Sequence, residues 1–213
     1  MRTFRHWTPR YIRDRLANIY YRRAYPGRPW LTPAANEILI SYLRETDIGL
    51  EFGSGISTLW FATRIRHLTS VEHNEAWYRK VQQMLAERHL DNVDYHLAVK
   101  DKGDDEGDQS AYVRQIERFA PNSLDFVLVD GIYRDFCALK ALDLLRPGGI
   151  LVIDNVNKYL PSDSYAPNSR TPAKGPDGET WNKVYEALSP WRRIWTGSGV
   201  WDTAIYFRPC DDA

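Results

Sequence analysis

The chain has 213 residues, 43% hydrophobic and 26% charged, with 28 Lys and Arg balancing 28 Asp and Glu. That length suits one main core, and the sequence has no run of about 18 apolar residues to span a bilayer. It also lacks the apolar stretch and small-residue cleavage site of an export signal, and Cys137 and Cys210 form no CxxC pattern, so a soluble cytoplasmic protein without disulfide or zinc scaffold is expected.

Residues 1–28 carry eight Arg against the single acid Asp14, leaving 20 basic and 27 acidic residues in the rest of the chain. In this basic head Ile12, Leu16, Ile19 and Tyr20 follow helical spacing, with Arg13, Arg15, Arg22 and Arg23 beside them, so residues 1–29 read as a helical extension ahead of a main domain at 30–213. Two readings stand open. The helix meets anionic lipid or an anionic acceptor, or it packs on the acidic body.

Pro33 can open a second helix with Ile38, Leu39, Tyr42 and Leu43 on its buried face. A strand at 48–52 stops at Gly53-Ser54-Gly55, and Ser57 is a candidate cap for a helix through Ile65. A strand at 67–72, a helix at about 75–88 and a strand at 93–98 follow. The acidic run 100–110 reads as a loop before a short helix at about 111–119. The apolar runs 126–130 and 150–154 have the composition of strands buried on both faces, with a helix between them that stops before Pro147-Gly148-Gly149. Residues 155–179 form the longest stretch without a pattern, a candidate lid. After a helix at 181–188, the segments 192–196 and 200–208 make an antiparallel hairpin through Gly197-Ser198-Gly199. The alternation predicts an α/β fold: a doubly wound, mostly parallel seven-stranded sheet with an antiparallel C-terminal hairpin.

The glycine turn after the first strand lets a ligand approach the backbone and aims helix N-terminal N–H groups at it. Glu72, 19 positions after Gly53 at a strand end, is suited to the two hydroxyls of a ribose. Thr58 stands where a dinucleotide fingerprint has its third glycine, so a nucleoside ligand without pyrophosphate fits better.

The order Glu51-Phe-Gly-Ser-Gly, Glu72, Asp130 and Leu145-Arg-Pro-Gly-Gly-Ile-Leu-Val-Ile-Asp154 resembles class I S-adenosylmethionine-dependent methyltransferases of Rossmann-like fold, over about 32–208. The resemblance implies S-adenosylmethionine as cofactor, with Glu51, Gly53, Ser54, Gly55 and Ser57 at its methionine end. It puts Glu72 and His73 on the ribose side, Val99 or Asp101 by the adenine, and Asp130 beside the methionine moiety. Asp130, Asp154 and Asn155 are further similar to the magnesium ligands of catechol-type O-methyltransferases, which makes Mg2+ a candidate; the other reading is that Asp154 and Asn155 pin the following loop. Where that family has a catalytic lysine this chain has Tyr133, followed by Arg134, so Asp130, Tyr133 and Arg134 are the candidate catalytic residues.

The resemblance implies methylation of a small-molecule or glycan-type acceptor, with Trp30, Tyr133, Tyr159, Tyr165 and Trp181 as candidate packing partners. Nucleic acid is disfavoured because the body lacks a broad basic track. A homodimer is a candidate assembly. The rival readings are a nicotinamide-dependent oxidoreductase and a non-catalytic nucleoside-binding module.

Overall fold

A computed structural model describes residues 7–210. The first six residues of the basic extension lie outside the described residues. Helix α1 (Pro9–Ala24) and helix α2 (Pro33–Tyr42) each start on a Thr-Pro pair. Thr8 accepts from Tyr11 N and Thr32 from Ala35 N, while the proline adds no orphan donor at the first helical position. Then follow β1 (Ile48–Phe52), α3 (Ile56–Ala62), β2 (His67–Glu72), α4 (Glu75–Glu87), β3 (Val93–Leu97), β4 (Leu124–Val129), α5 (Arg134–Leu144), β5 (Leu145–Asp154), α6 (Glu179–Leu188), β6 (Arg192–Gly197) and β7 (Asp202–Phe207).

The seven strands lie in the order β3-β2-β1-β4-β5-β7-β6. All pairs are parallel except β5 with β7 and β6 with β7. The two-residue period of the strands separates two apolar layers. Leu50, Phe52, Val127, Val129, Leu151 and Ile153 face α5 and α6. Phe126, Leu128, Ile150 and Val152 face α2 and α3. No helix among the described residues is long and apolar enough to cross a membrane.

Four local expectations change. The acidic run is not all loop, since 104–109 forms 3₁₀ turns, and the expected helix at 111–119 is a 3₁₀ segment at 113–118. β5 starts at Leu145 and carries Pro147-Gly148-Gly149 inside it; a register shift opposite 124–126 absorbs the irregularity. The stretch 155–179 is anchored. Val156 and Leu160 are buried in the core, Arg170 N donates to Asn157 O at 2.8 Å, and the Arg170 guanidinium bonds Asp177 and Gly175 O.

The fourth change concerns α1. Its apolar stripe does not pack on the body: Ile12, Leu16, Ile19 and Tyr20 are 42, 61, 40 and 76% exposed, whereas Tyr11 and Asn18 are the buried positions.

The core is filled tightly at Gly49 on β1, where a Cβ would lie 2.4 Å from the Phe126 ring and 3.0 Å from Ile65. Both neighbours are buried, so the added methyl overpacks the layer. Gly49→Ala is expected to lower stability by about 1–3 kcal/mol in urea denaturation, an overpacking cost; an unchanged midpoint would show that the layer yields.

Candidate functional site

The strand order reverses between β1 and β4, and in open α/β sheets the crevice at that point receives ligands. The turns leaving the two strands touch. Gly53 has φ +95°, and a Cβ there would lie 2.7 Å from Gly131 N and 2.8 Å from Asp130 C. Only a glycine meets both demands. Gly131 is confined likewise, because its Cβ would collide with the hydroxyl of the buried Tyr112.

Behind the first turn the Glu72 carboxylate is held by four donors. Oε2 accepts from Ser54 N at 3.2 Å and Ser54 Oγ at 2.8 Å; Oε1 accepts from His73 N at 2.8 Å and Asn74 N at 2.7 Å. The His73 Nδ1 atom lies 3.0 Å from Oε1 but out of line for a hydrogen bond. Trp77, in the first turn of α4, donates its indole N–H to Ser54 O at 2.8 Å. A buried carboxylate so fixed offers its remaining lone pairs in a set direction, which suits a diol.

Beneath the turn lies Glu51, fully buried. Its Oε2 accepts from Thr58 Oγ1 at 2.5 Å and Ser70 Oγ at 2.6 Å, with Ser57 also bonding the carboxyl, while Oε1 has no partner. Burial pushes this carboxyl up to about 7, against the lowering effect of the three hydroxyls. Thr58 Oγ1 also takes the Gly55 N–H at 2.9 Å, so one side chain ties the start of α3 to the acid below.

Across the crevice, Arg134 in the first turn of α5 binds two chain segments, the turn after β4 and the end of β5. Its Nε donates to Gly131 O at 2.9 Å, Nη1 to Asp154 O at 2.6 Å, and Nη2 to Asp130 O and Oδ1 at 2.7 and 2.8 Å. Desolvation raises the Asp130 carboxyl, opposed by Arg134. Asp154 is pushed up to about 8 by burial and then by the Asp130 charge.

Gly53, Ser54, Glu72, His73, Asp130 and Arg134 line one cavity of about 760 Å³. The other expected site residues do not. Glu51, Gly55 and Ser57 sit under the turn, and Gly55 rather than Ser57 is the N-cap of α3. Asp101 spends its carboxylate on Ala111 N, at 3.2 and 3.1 Å. Tyr133 is buried and donates its hydroxyl to Lys102 O at 2.5 Å, so it is not placed to take an acceptor's proton. Of the expected aromatic contacts, Trp181 is buried and stacked on Tyr159, at 4.8 Å between centroids, and Tyr165 lies under Arg10.

The three expected metal ligands do not fit a divalent cation. Asp154 Oδ1 accepts from Thr203 Oγ1 and Oδ2 from Asn155 Nδ2, both at 2.6 Å. Asn155 Oδ1 accepts from Lys158, and Asp130 is paired with Arg134. Among the described residues no group of three His, Cys, Asp or Glu is arranged to hold a metal ion.

Asn74, Ala76, Trp77 and Lys80 also line the cavity and were not expected there. Their signal was Asn74, the N-cap of α4 two positions after Glu72. A helix capped at that point turns its first two turns toward the ligand crevice.

Comparison with known proteins gives a consistent picture. A family model described as a methyltransferase domain matches residues 50–156, half of the chain. A methyltransferase-like protein from Silicibacter pomeroyi is 26% identical, with a TM-score of 0.56, over 88% of this chain and 92% of that one. A caffeoyl-CoA O-methyltransferase candidate from Staphylococcus aureus is 16% identical, TM-score 0.56, over 94% and 92%. An rRNA methylase from Streptococcus thermophilus is 12% identical, TM-score 0.55, over 84% and 95%. The last two show shared fold. No curated protein sequence matches the chain.

The raised Glu51 carboxyl has a thermodynamic consequence. The unfolded chain releases this proton near 4.5 and the native protein near 7, so between those values the native state binds more protons and its stability falls as pH rises. The difference amounts to about 3 kcal/mol. Urea denaturation of Glu51→Gln at pH 5 and pH 8 is expected to show a correspondingly smaller loss of stability than wild type; equal losses in both proteins would mean that Glu51 ionises freely.

Proposed function

The chain belongs to the methyltransferase domain family and is an S-adenosylmethionine-dependent methyltransferase, and from that premise we propose that it methylates a hydroxyl of a small-molecule or glycan-type acceptor. The observation that carries this reading is the Asp130 carboxylate on the wall of the cofactor crevice, one oxygen held by Arg134 and the carboxyl raised by desolvation.

S-adenosylmethionine, when bound, supplies an electrophilic sulfonium methyl. Glu72 is the residue to hold its ribose hydroxyls, since both carboxylate oxygens are already oriented by backbone N–H groups. The unpaired Oε1 of Glu51 and the glycine turn above it fit the methionine end, where an ammonium group would meet a buried oxygen without a donor.

A hydroxyl acceptor must lose a proton as it attacks, and a base works best with a pKa near the working pH. Asp130 fills that role: its side chain is 31% exposed to the cavity, and Arg134 fixes one of its oxygens, leaving the other open. Asp154 lies behind it, its own buried carboxyl raised in part by the Asp130 charge. Arg134 holds both acids in register without a metal. For the acceptor body, Trp30 and Trp201 flank the Arg22 guanidinium at 4.6 and 4.8 Å, and Arg22 feels the charge of Asp154. Flat aromatic faces beside a cation suit a ring or sugar. The excess of 27 acids over 20 bases in the body argues against nucleic acid.

Two measurements test the reading. Calorimetric titration should give S-adenosylmethionine binding weakened by Glu72→Ala and no matching affinity for NAD; NAD binding instead would return the oxidoreductase alternative. In a methyl-transfer assay with hydroxylated acceptors, Asp130→Asn should lower kcat on the order of a hundredfold or more while cofactor binding persists.

Because the base acts deprotonated, kcat/KM should rise with pH through an inflection above the ordinary carboxylate range. Asp130→Asn should remove that inflection from the residual rate. A chelator should leave the rate unchanged. A flat pH profile, or activity lost to chelator and restored by magnesium, would overturn the mechanism.

A further inference from the structure

The outward stripe of α1 is independent of the acceptor question. At 100° per residue Ile19, Ile12, Leu16 and Tyr20 span an arc of about 100°. Arg15 borders one side, Arg13 the other, and Arg23 lies inside the arc, all three exposed. The opposite side docks on the body through polar contacts. Asn18 Nδ2 donates to Ser198 O at 3.1 Å, Tyr21 receives Arg28 at 2.8 Å and Asn36 at 3.4 Å, and Asp14 packs on Gly199. The helix thus turns its apolar face away from the protein.

We propose that this face is a docking surface for an anionic lipid bilayer, with Ile12, Leu16, Ile19 and Tyr20 entering the headgroup boundary and Arg13, Arg15 and Arg23 meeting lipid phosphates. Charge complementarity selects this occupant. The helix has five Arg and one Asp; that Asp packs on Gly199 and accepts from Arg13 at 2.9 and 2.7 Å, so a net four positive charges remain, with Arg15 and Arg23 unpaired by any acid among the described residues. A second copy of the chain docking through the same face would bring two arginine-rich stripes together. A nucleic acid would leave the four apolar side chains without a function. An interfacial helix needs an apolar face framed by basic residues, and that is what is exposed here.

The test is cosedimentation of the full chain with vesicles of phosphatidylcholine alone and with phosphatidylglycerol mixed in, at low and high salt. Binding is expected only to the anionic vesicles and is expected to weaken with salt. Each exposed arginine near an anionic surface is worth about fivefold in binding, so Arg13→Gln with Arg15→Gln and Arg23→Gln should lose on the order of a hundredfold. Leu16→Glu with Ile19→Glu should abolish binding, and since both side chains are solvent-exposed the melting temperature should hold. No binding to either vesicle would overturn the proposal, as would equal binding to both. So would a dimer in sedimentation velocity that Leu16→Glu with Ile19→Glu dissolves without any vesicle binding, because the face would then belong to a second copy.

Discussion

The close approach of two chain reversals, Gly53 against Asp130-Gly131, is the constraint on which the site depends. Asp130 N donates to Phe52 O and Gly53 N to Val71 O, so the ends of β1, β2 and β4 are stitched at one level. A side chain at Gly53 would force the turns apart and open the angle between Glu72 on one side and Asp130 on the other. The crevice is therefore defined by backbone packing before any ligand arrives, which is what preorganisation requires.

Around this contact the protein gathers four acids, and it treats each differently. Glu72 is satisfied by backbone N–H groups and a serine, Asp130 by a guanidinium, Asp154 by a threonine and an asparagine, and Glu51 by hydroxyls that leave one oxygen unpaired. Burial raises a carboxyl, and Glu51, with one oxygen unpaired, is pushed to about 7, while Asp154, beside the Asp130 charge, is pushed to about 8. Arg134 bridges the carboxyl ends of β4 and β5, and it draws on backbone oxygens as much as on the Asp130 side chain. It stabilises the crevice wall while leaving the pair able to exchange a proton.

The strands and helices were legible because burial on both faces writes unbroken apolar runs such as Phe126–Val129, and because Thr-Pro and glycine punctuate the helix ends. Glu72 was legible from spacing. Asp101, Tyr133 and Asn155 lie off the cavity because a polar residue near a ligand crevice is as readily consumed by its own chain, here by Ala111 N, Lys102 O and the Asp154 side chain. Thr58 was read as a missing glycine, whereas its hydroxyl links Gly55 to Glu51. Those contacts join residues by geometry that one-dimensional spacing does not carry.

The orientation of α1 shows the same limit in reverse, since periodicity reveals which face of a helix is apolar but not which face the body accepts. An apolar contact is non-directional and would let the helix roll on its support, whereas hydrogen bonds to fixed carbonyls do not. Asn18 on Ser198 O and Asp14 on Gly199 fix the helix about its own axis. Arg22, desolvated between Trp30 and Trp201 within the field of Asp154, ties it to the segment ahead of β7. A helix held this way presents its apolar stripe to the outside and one charged side chain to the site. Any partner that engages the stripe therefore acts on an element whose other face is already docked on the body.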